Sequence, residues 1–194
     1  MPRADAAPSF LVYPLAIDFA NSVGMHVVGQ AGELLGDEDG FARWVAVQDE
    51  LSGVDTASVD LTALQELRRH VIAILGALAR RDPLPAMDVV AINDAAARAV
   101  AHPVLDLSDP AQPAARSVTT AATATDAVLG RVAASLIDLV AARVGVRRCP
   151  APGCGLFFLA SRSDQRWCTG SCGNRARVAR YQRRHRDRQP PRSW

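Results

Sequence analysis

The sequence contains no lysine: each of its 22 lysine-or-arginine positions is arginine. Guanidinium is therefore the only permanently cationic side chain in the chain. It grips phosphate through two parallel hydrogen bonds, where an ammonium acts as a point charge. Cysteine is absent before Cys149, so no disulfide framework can hold the body of the chain. Aromatic residues make up only 5%, which leaves few faces on which unpaired bases could stack. No apolar run reaches the length of a membrane span. The best helix candidate, Ala127 to Val146, is interrupted by Arg131, Asp138 and Arg143. The apolar stretch from Phe10 to Val28 is broken by Pro14, Asp18 and Asn21 and lacks a cleavage pattern, so a cytoplasmic protein is expected. There is also no phosphate-cradling glycine loop, nucleophile elbow or His-Glu metal helix, which argues against an enzyme.

What is present divides unevenly along the chain. With 49% apolar residues, 194 residues can bury a core in a domain of roughly 140 residues and still carry a small appendage. From Arg143 to Trp194 there are 13 arginines against Asp164 and Asp187, a net of +11. Residues 1–142 hold 9 arginines against 18 acidic residues, a net of −9. An acidic body with a basic, anion-binding end follows. The boundaries expected are a helical domain over 1–143, a basic segment over 144–188 and a disordered tail over 189–194.

The body reads as mainly helical, an α+β fold with one small β element. Pro14 to Val23 suits a short helix or part of a strand. Gly24 to Gly36, with four glycines, suits a loop or short hairpin. Asp37 opens a helix to about Leu51 with acidic residues in its first turn. Leu61 to Arg80 carries Leu61, Leu64, Leu67, Val71, Ile74, Leu75 and Leu78 at three- and four-residue spacing, one apolar stripe ended by Pro83 and Pro85. A further helix is expected over Ala86 to Val100, then a hairpin from Pro103–Leu107 and Ala115–Thr120. Thr125 is expected to cap a last long helix running to about Arg143. Asp18, Asn21, Ser22, His26, His70 and His102 are the polar residues from which a pocket might be assembled. Asp18 and Asn21 stand one helical turn apart and are candidates for an effector pocket, set against a plain role in tying helix ends. The histidines have no spacing that links them to a metal or a nucleophile.

All four cysteines lie within a short C-terminal stretch: Cys149 and Cys154, then Cys168 and Cys172. Two close pairs with a short excursion between them suit a tetrahedral four-thiolate Zn2+ site, in which each pair supplies two ligands from one turn. Four unrelated buried cysteines, or a labile redox zinc switch, are the competing readings. Four thiolates leave no open position for a substrate water, so one structural zinc is expected. Pro150, Pro152 and Gly153 make a knuckle. Leu156 to Leu159 is a strand, and Gln165 to Trp167 is expected to return as its hairpin partner, with Phe157 or Phe158 and Trp167 as a miniature core. Thr169 caps a helix with Cys172 in its first turn. Knuckle, hairpin and helix make the arrangement treble-clef-like.

Cys172-Gly173-Asn174-Arg175 is the motif for which the CGNR zinc-finger family is named, and the segment from about Val146 to His185 resembles that family. The preceding region resembles the ABATE domain that accompanies this finger in bacterial proteins, through Asp18-x-x-Asn21-Ser22 in Leu15 to Ser22. The resemblance implies a transcription regulator, sometimes described as stress-induced.

The helix after Cys172 is dominated by arginine. Arg177, Arg180, Arg183 and Arg184 fall within about a 120° arc, with Arg175 nearby and Arg147, Arg148, Arg162 and Arg166 extending the basic surface. Val178 and Tyr181 are expected to turn back toward the finger. A solvated charged helix is the plain alternative, yet almost no acidic residue relieves its self-repulsion. The electrostatic footprint favours nucleic acid, DNA more than RNA. Asn174 and Arg175 could instead brace the metal site. In the nucleic-acid reading the N-terminal domain binds a small-molecule effector or forms a homodimer. A second reading makes the finger and basic helix a protein-interaction module that docks an acidic partner or the chain's own body, with the N-terminal domain forming a homodimer.

Overall fold

The computed structural model describes residues 13–27, 30–109 and 111–186; the tail expected over 189–194 lies outside them. Helix α1 (Leu15–Asn21) is followed by an antiparallel hairpin of β1 (Val23–Val27) and β2 (Gln30–Glu33), so the glycine-rich stretch takes its hairpin form. Helix α2 (Glu38–Val45) opens on Asp37, whose carboxylate accepts the Gly40 N–H at 2.6 Å. It is shorter than expected: the chain leaves it at Ala46 and makes only a 3₁₀ turn at Asp49–Leu51.

Helix α3 (Leu61–Arg80) forms over the residues predicted by its apolar spacing. Asp60 caps it by accepting from the Thr62 and Ala63 N–H groups, and Arg81 closes it in the left-handed region at φ 62°. Leu64, Leu67, Val71, Ile74 and Leu75 are buried, each burial stabilising by about 2 kcal/mol. Arg68 lies on the same inward stripe. Its guanidinium is satisfied by Ser22 Oγ at 2.9 Å and by the Glu33 carboxylate at 2.6 Å, which fastens the first hairpin to α3.

Helix α4 (Ala86–Ala96) stops before the Val100 expected of it, and Ala99 already belongs to a strand. β3 (Ala99–Asp106) pairs antiparallel with β4 (Ala114–Ala121) along its whole length, so the hairpin is longer than the two short segments predicted. Val100, His102 and Val104 are better satisfied by Thr120, Val118 and Arg116 across the ladder than by one more helical turn before Pro103. Helix α5 (Ala124–Ala141) is capped by Thr123, whose hydroxyl accepts the Asp126 N–H at 3.0 Å. Thr125 instead accepts the Asp60 N–H at 2.9 Å and ties α5 to the start of α3. Gly130 lets α5 approach β3: a Cβ there would stand 2.3 Å from that of Ala99. Thus α1, α3, α4 and α5 enclose the core, with Phe19, Phe41 and Trp44 as its aromatic end.

The last part of the chain is a third hairpin and a long helix. β5 (Val146–Arg148) pairs with β6 (Phe157–Leu159), and α6 (Gly170–Arg186) follows. The hairpin therefore straddles the first cysteine pair, whereas the second pair was expected to close it. Gln165 to Trp167 is not a strand. It is held by a side chain, as Arg147 donates to the carbonyls of Ser163, at 2.7 Å, and Gln165. No helix among the described residues is long and apolar enough to cross a membrane. The fold is mixed α+β with a helical body and a four-cysteine finger, as the sequence implies.

Candidate metal centre and basic helix

Strand alternation decides how the finger is built. Successive residues of β6 face opposite ways, so Phe157 enters the body's core while Phe158 lies among the cysteines. Val146, on the partner strand, also enters the body's core. The Asn21 amide completes the junction. Its Nδ2 donates to the Phe157 carbonyl at 2.9 Å and its Oδ1 accepts the Phe157 N–H at 2.8 Å. Asn21 thus gives α1 a backbone-like pairing with β6, and its amide is committed to that strut. Its neighbour Asp18 is largely buried, which pushes its carboxyl up to about 7; Gln48 opposes this with a hydrogen bond and Glu50 adds to it. A cavity of about 740 Å³ opens elsewhere, between α5, the β3–β4 hairpin and Asp49–Glu50; neither Asp18 nor Asn21 lines it.

The knuckle reverses the chain between the two strands. Cys149 N–H donates to the Leu156 carbonyl at 2.8 Å, and Gly153 and Gly155 take the left-handed φ of 70° and 82° that the tight path demands. Cys168 precedes α6 and Cys172 lies in its first turn, where Thr169 Oγ1 accepts the Cys172 N–H at 3.3 Å. All four Sγ atoms come within 4.8 Å of one another, with Cys154–Cys168 at 3.6 Å and Cys168–Cys172 at 3.5 Å. A tetrahedral zinc with bonds of about 2.3 Å sets its sulfurs roughly 3.8 Å apart. Disulfide sulfurs would be about 2.05 Å apart. The donor set therefore fits one structural Zn2+ held by Cys149, Cys154, Cys168 and Cys172.

The four thiols differ in their surroundings. Burial, then the surrounding thiols, push Cys168 far up, and burial raises Cys154. Burial acts the same way on Cys172, but Thr169 and Arg175 outweigh it and bring that thiol to about 7. Arg175 Nη2 donates to Cys172 Sγ at 3.1 Å. The arginine of the motif is thus a brace on the ligand, the role such outer partners take in metal sites. Asn174 is exposed and accepts from Arg177 at 3.3 Å. Gly173 is required by packing, since a Cβ there would stand 2.9 Å from the Trp167 indole.

The metal also fixes how α6 is rotated. Cys172 must face the site, so Ala176, one turn later, faces it too and is buried. Val178 then lies about 200° further round the helix than Ala176. It is 47% exposed, and Tyr181 is 63% exposed and packs on His185 at 4.1 Å. The expectation that Val178 and Tyr181 turn toward the finger is overturned by this rotation. Arg177 and Arg184 share the outward side with them. Arg180 and Arg183 lie further round the same arc toward the finger, where with Arg166 they line a cleft against Pro150, Pro152 and Trp167. Two arginines counted as possible surface contacts are structural. Arg147 clamps the return segment, and Arg148 donates to the Gly155 carbonyl at 3.0 Å and covers the Phe157 ring. Sequence reading had no signal for either, because the partners are main-chain carbonyls.

Two family models match this chain. ABATE, described as "Putative stress-induced transcription regulator", matches residues 13–143, and the CGNR zinc finger matches residues 146–185. No curated protein matches it.

Proposed function

Because the chain belongs to the ABATE family and ends in a CGNR zinc finger, we propose that it is a bacterial, cytoplasmic transcription regulator that binds duplex DNA through α6. The observation that carries this reading is the rotation of α6. With Cys172 on the metal, Arg177 and Arg184 stand outward beside Tyr181 and His185, an exposed basic face with aromatic interleaving. Among the described residues none of Arg177, Arg180, Arg183 or Arg184 is paired with a carboxylate. A helix of that width and charge suits the major groove, with its arginines on phosphates and one or two at base edges. DNA is preferred over RNA because Tyr181 with His185 is one aromatic pair on a long arginine face, too little to stack a run of unpaired bases. The role is binding without catalysis, since four thiolates fill the zinc shell.

The test is binding of zinc-loaded protein to its own promoter fragment and to random duplex. Promoter preference is expected, with Arg180→Ala/Arg184→Ala weakening both complexes and flattening their salt dependence. Unchanged affinity in that variant rejects the helix as the contact. No binding at low salt moves the basic face to an acidic protein partner.

A further inference from the structure

The cleft between the knuckle and α6 is lined by Pro150, Pro152, Arg166, Trp167, Ala176, Arg180 and Arg183 and encloses about 190 Å³. Three of its walls are apolar and rigid: the two prolines, the indole and the buried Ala176 methyl. Among the described residues its charges are three guanidiniums from two separate elements, one before Cys168 and two on α6, and no carboxylate lines it. Arg166 is held over the Trp167 ring at 5.7 Å, and Arg180 is anchored by donating to the Ala176 carbonyl at 3.3 Å. Three exposed cations beside these apolar walls focus a positive potential into the cleft. A tetrahedral anion is the ligand that such a cleft would suit, because guanidinium donates to phosphate oxygens through paired hydrogen bonds.

We infer that this cleft is a phosphate pocket that captures one nucleic-acid backbone phosphate, by contacts distinct from those of the outward Arg177 and Arg184. The inference rests on the nucleic-acid reading and gives Arg166, which the sequence offers only as an extension of the basic surface, a defined contact. Both halves of the pocket hang on zinc ligands. Pro150 and Pro152 lie between Cys149 and Cys154, Arg166 and Trp167 precede Cys168, and α6 carries Cys172. The zinc site therefore builds the pocket, and phosphate capture there requires the metal.

Sharing one phosphate gives a signature that independent contacts lack. With zinc-loaded full-length protein, the affinity for a random duplex is measured across a salt series for Arg166→Ala, Arg183→Ala, Arg177→Ala and their pairs. Zinc stoichiometry checks that each variant keeps its finger. Each single change should lower the salt slope by about one phosphate's share, roughly 0.9. Arg166→Ala with Arg183→Ala should lower it by no more than either alone, while Arg166→Ala with Arg177→Ala should lower it by about twice as much. Additive loss for the Arg166–Arg183 pair, or no effect of Arg166→Ala, overturns the pocket and leaves DNA binding standing. Inorganic pyrophosphate, followed by its ³¹P resonance, separates the two ideas. Saturable binding lost in Arg166→Ala or Arg183→Ala supports the pocket even if wild-type protein ignores duplex DNA. No binding of either probe overturns both.

Discussion

The body and the finger are held together by different physics. The body buries a continuous apolar core, from Leu15 and Phe19 through Val71 and Leu75 to Val128 and Leu136, and would keep its shape without any ion. The finger's own cluster is Phe158 and Ala151 packed on three buried cysteines, too little apolar surface to order a segment of that size. One is folded by water leaving hydrocarbon, the other by a metal neutralising thiols. Strand β6 joins them, with Phe157 in one core and Phe158 in the other. The basic end is thereby mounted on the acidic body without a free linker, and the position of α6 depends on both kinds of stability.

Removing the metal should separate the two regions most sharply. Chelation removes on the order of 10 kcal/mol from the finger. Circular dichroism should show loss of helix equivalent to the 17 residues of α6, while a cooperative thermal transition of the body persists. Simultaneous collapse of both would mean that the body has no independent core.

The adjacent phenylalanines provide a finer comparison. Phe157→Ala should lower the body's stability by about 3–5 kcal/mol with zinc affinity little changed. Phe158→Ala should weaken zinc by about 10- to 100-fold with the body's melt little moved. Denaturation and competitive zinc titration of the same two variants check the assignment, and equal effects on both readouts would erase it. Asn21→Ala leaves the buried Phe157 N–H and carbonyl unpaired and should cost about 1–3 kcal/mol. Faster hydrogen exchange at Phe157 should accompany that loss.

An effect of similar size, confined to a window of pH, concerns Asp18, which belongs to the body alone. Its carboxyl is raised to about 7 in the fold by burial, against an ordinary 3.8. The unfolded chain releases this proton near pH 4, and the folded chain holds it until about 7. Stability from this group is therefore full below about pH 4 and is lost as pH rises to 7. Asp18→Asn should gain about 1–3 kcal/mol on wild type across that window, after allowance for partial solvent screening. Parallel pH profiles would show that the carboxyl is not strained by burial.

The most local features were the most legible in the sequence. The α3 stripe and the cysteine spacing are set by residues within a few positions of one another, and both appear as read. Pairings that depend on distant chain were not legible. β5, lying before Cys149, displaces Gln165–Trp167 as the partner of β6 because Val146 has a core to enter. Val178 and Tyr181 were placed inward from the arginine arc alone, whereas the ligand Cys172 sets the helix rotation. Arg175 as a brace was one of two readings open in the sequence, whereas nothing in the pattern assigns a partner to Arg68 or Arg147. Only the fold supplies the Glu33 carboxylate, the Ser163 carbonyl and the Cys172 thiol that hold them.

The most direct single test of a zinc-built finger that presents arginine to nucleic acid is a salt series of duplex binding, run on the same protein with zinc loaded and with zinc stripped. The loaded protein should bind with log affinity falling steeply against log salt, by about 0.9 for each phosphate engaged, and stripping should abolish that dependence together with most of the affinity. Equal affinity and equal slope in the two preparations would contradict it, because the arginines would then be acting as loose charge that needs neither the metal nor the fold.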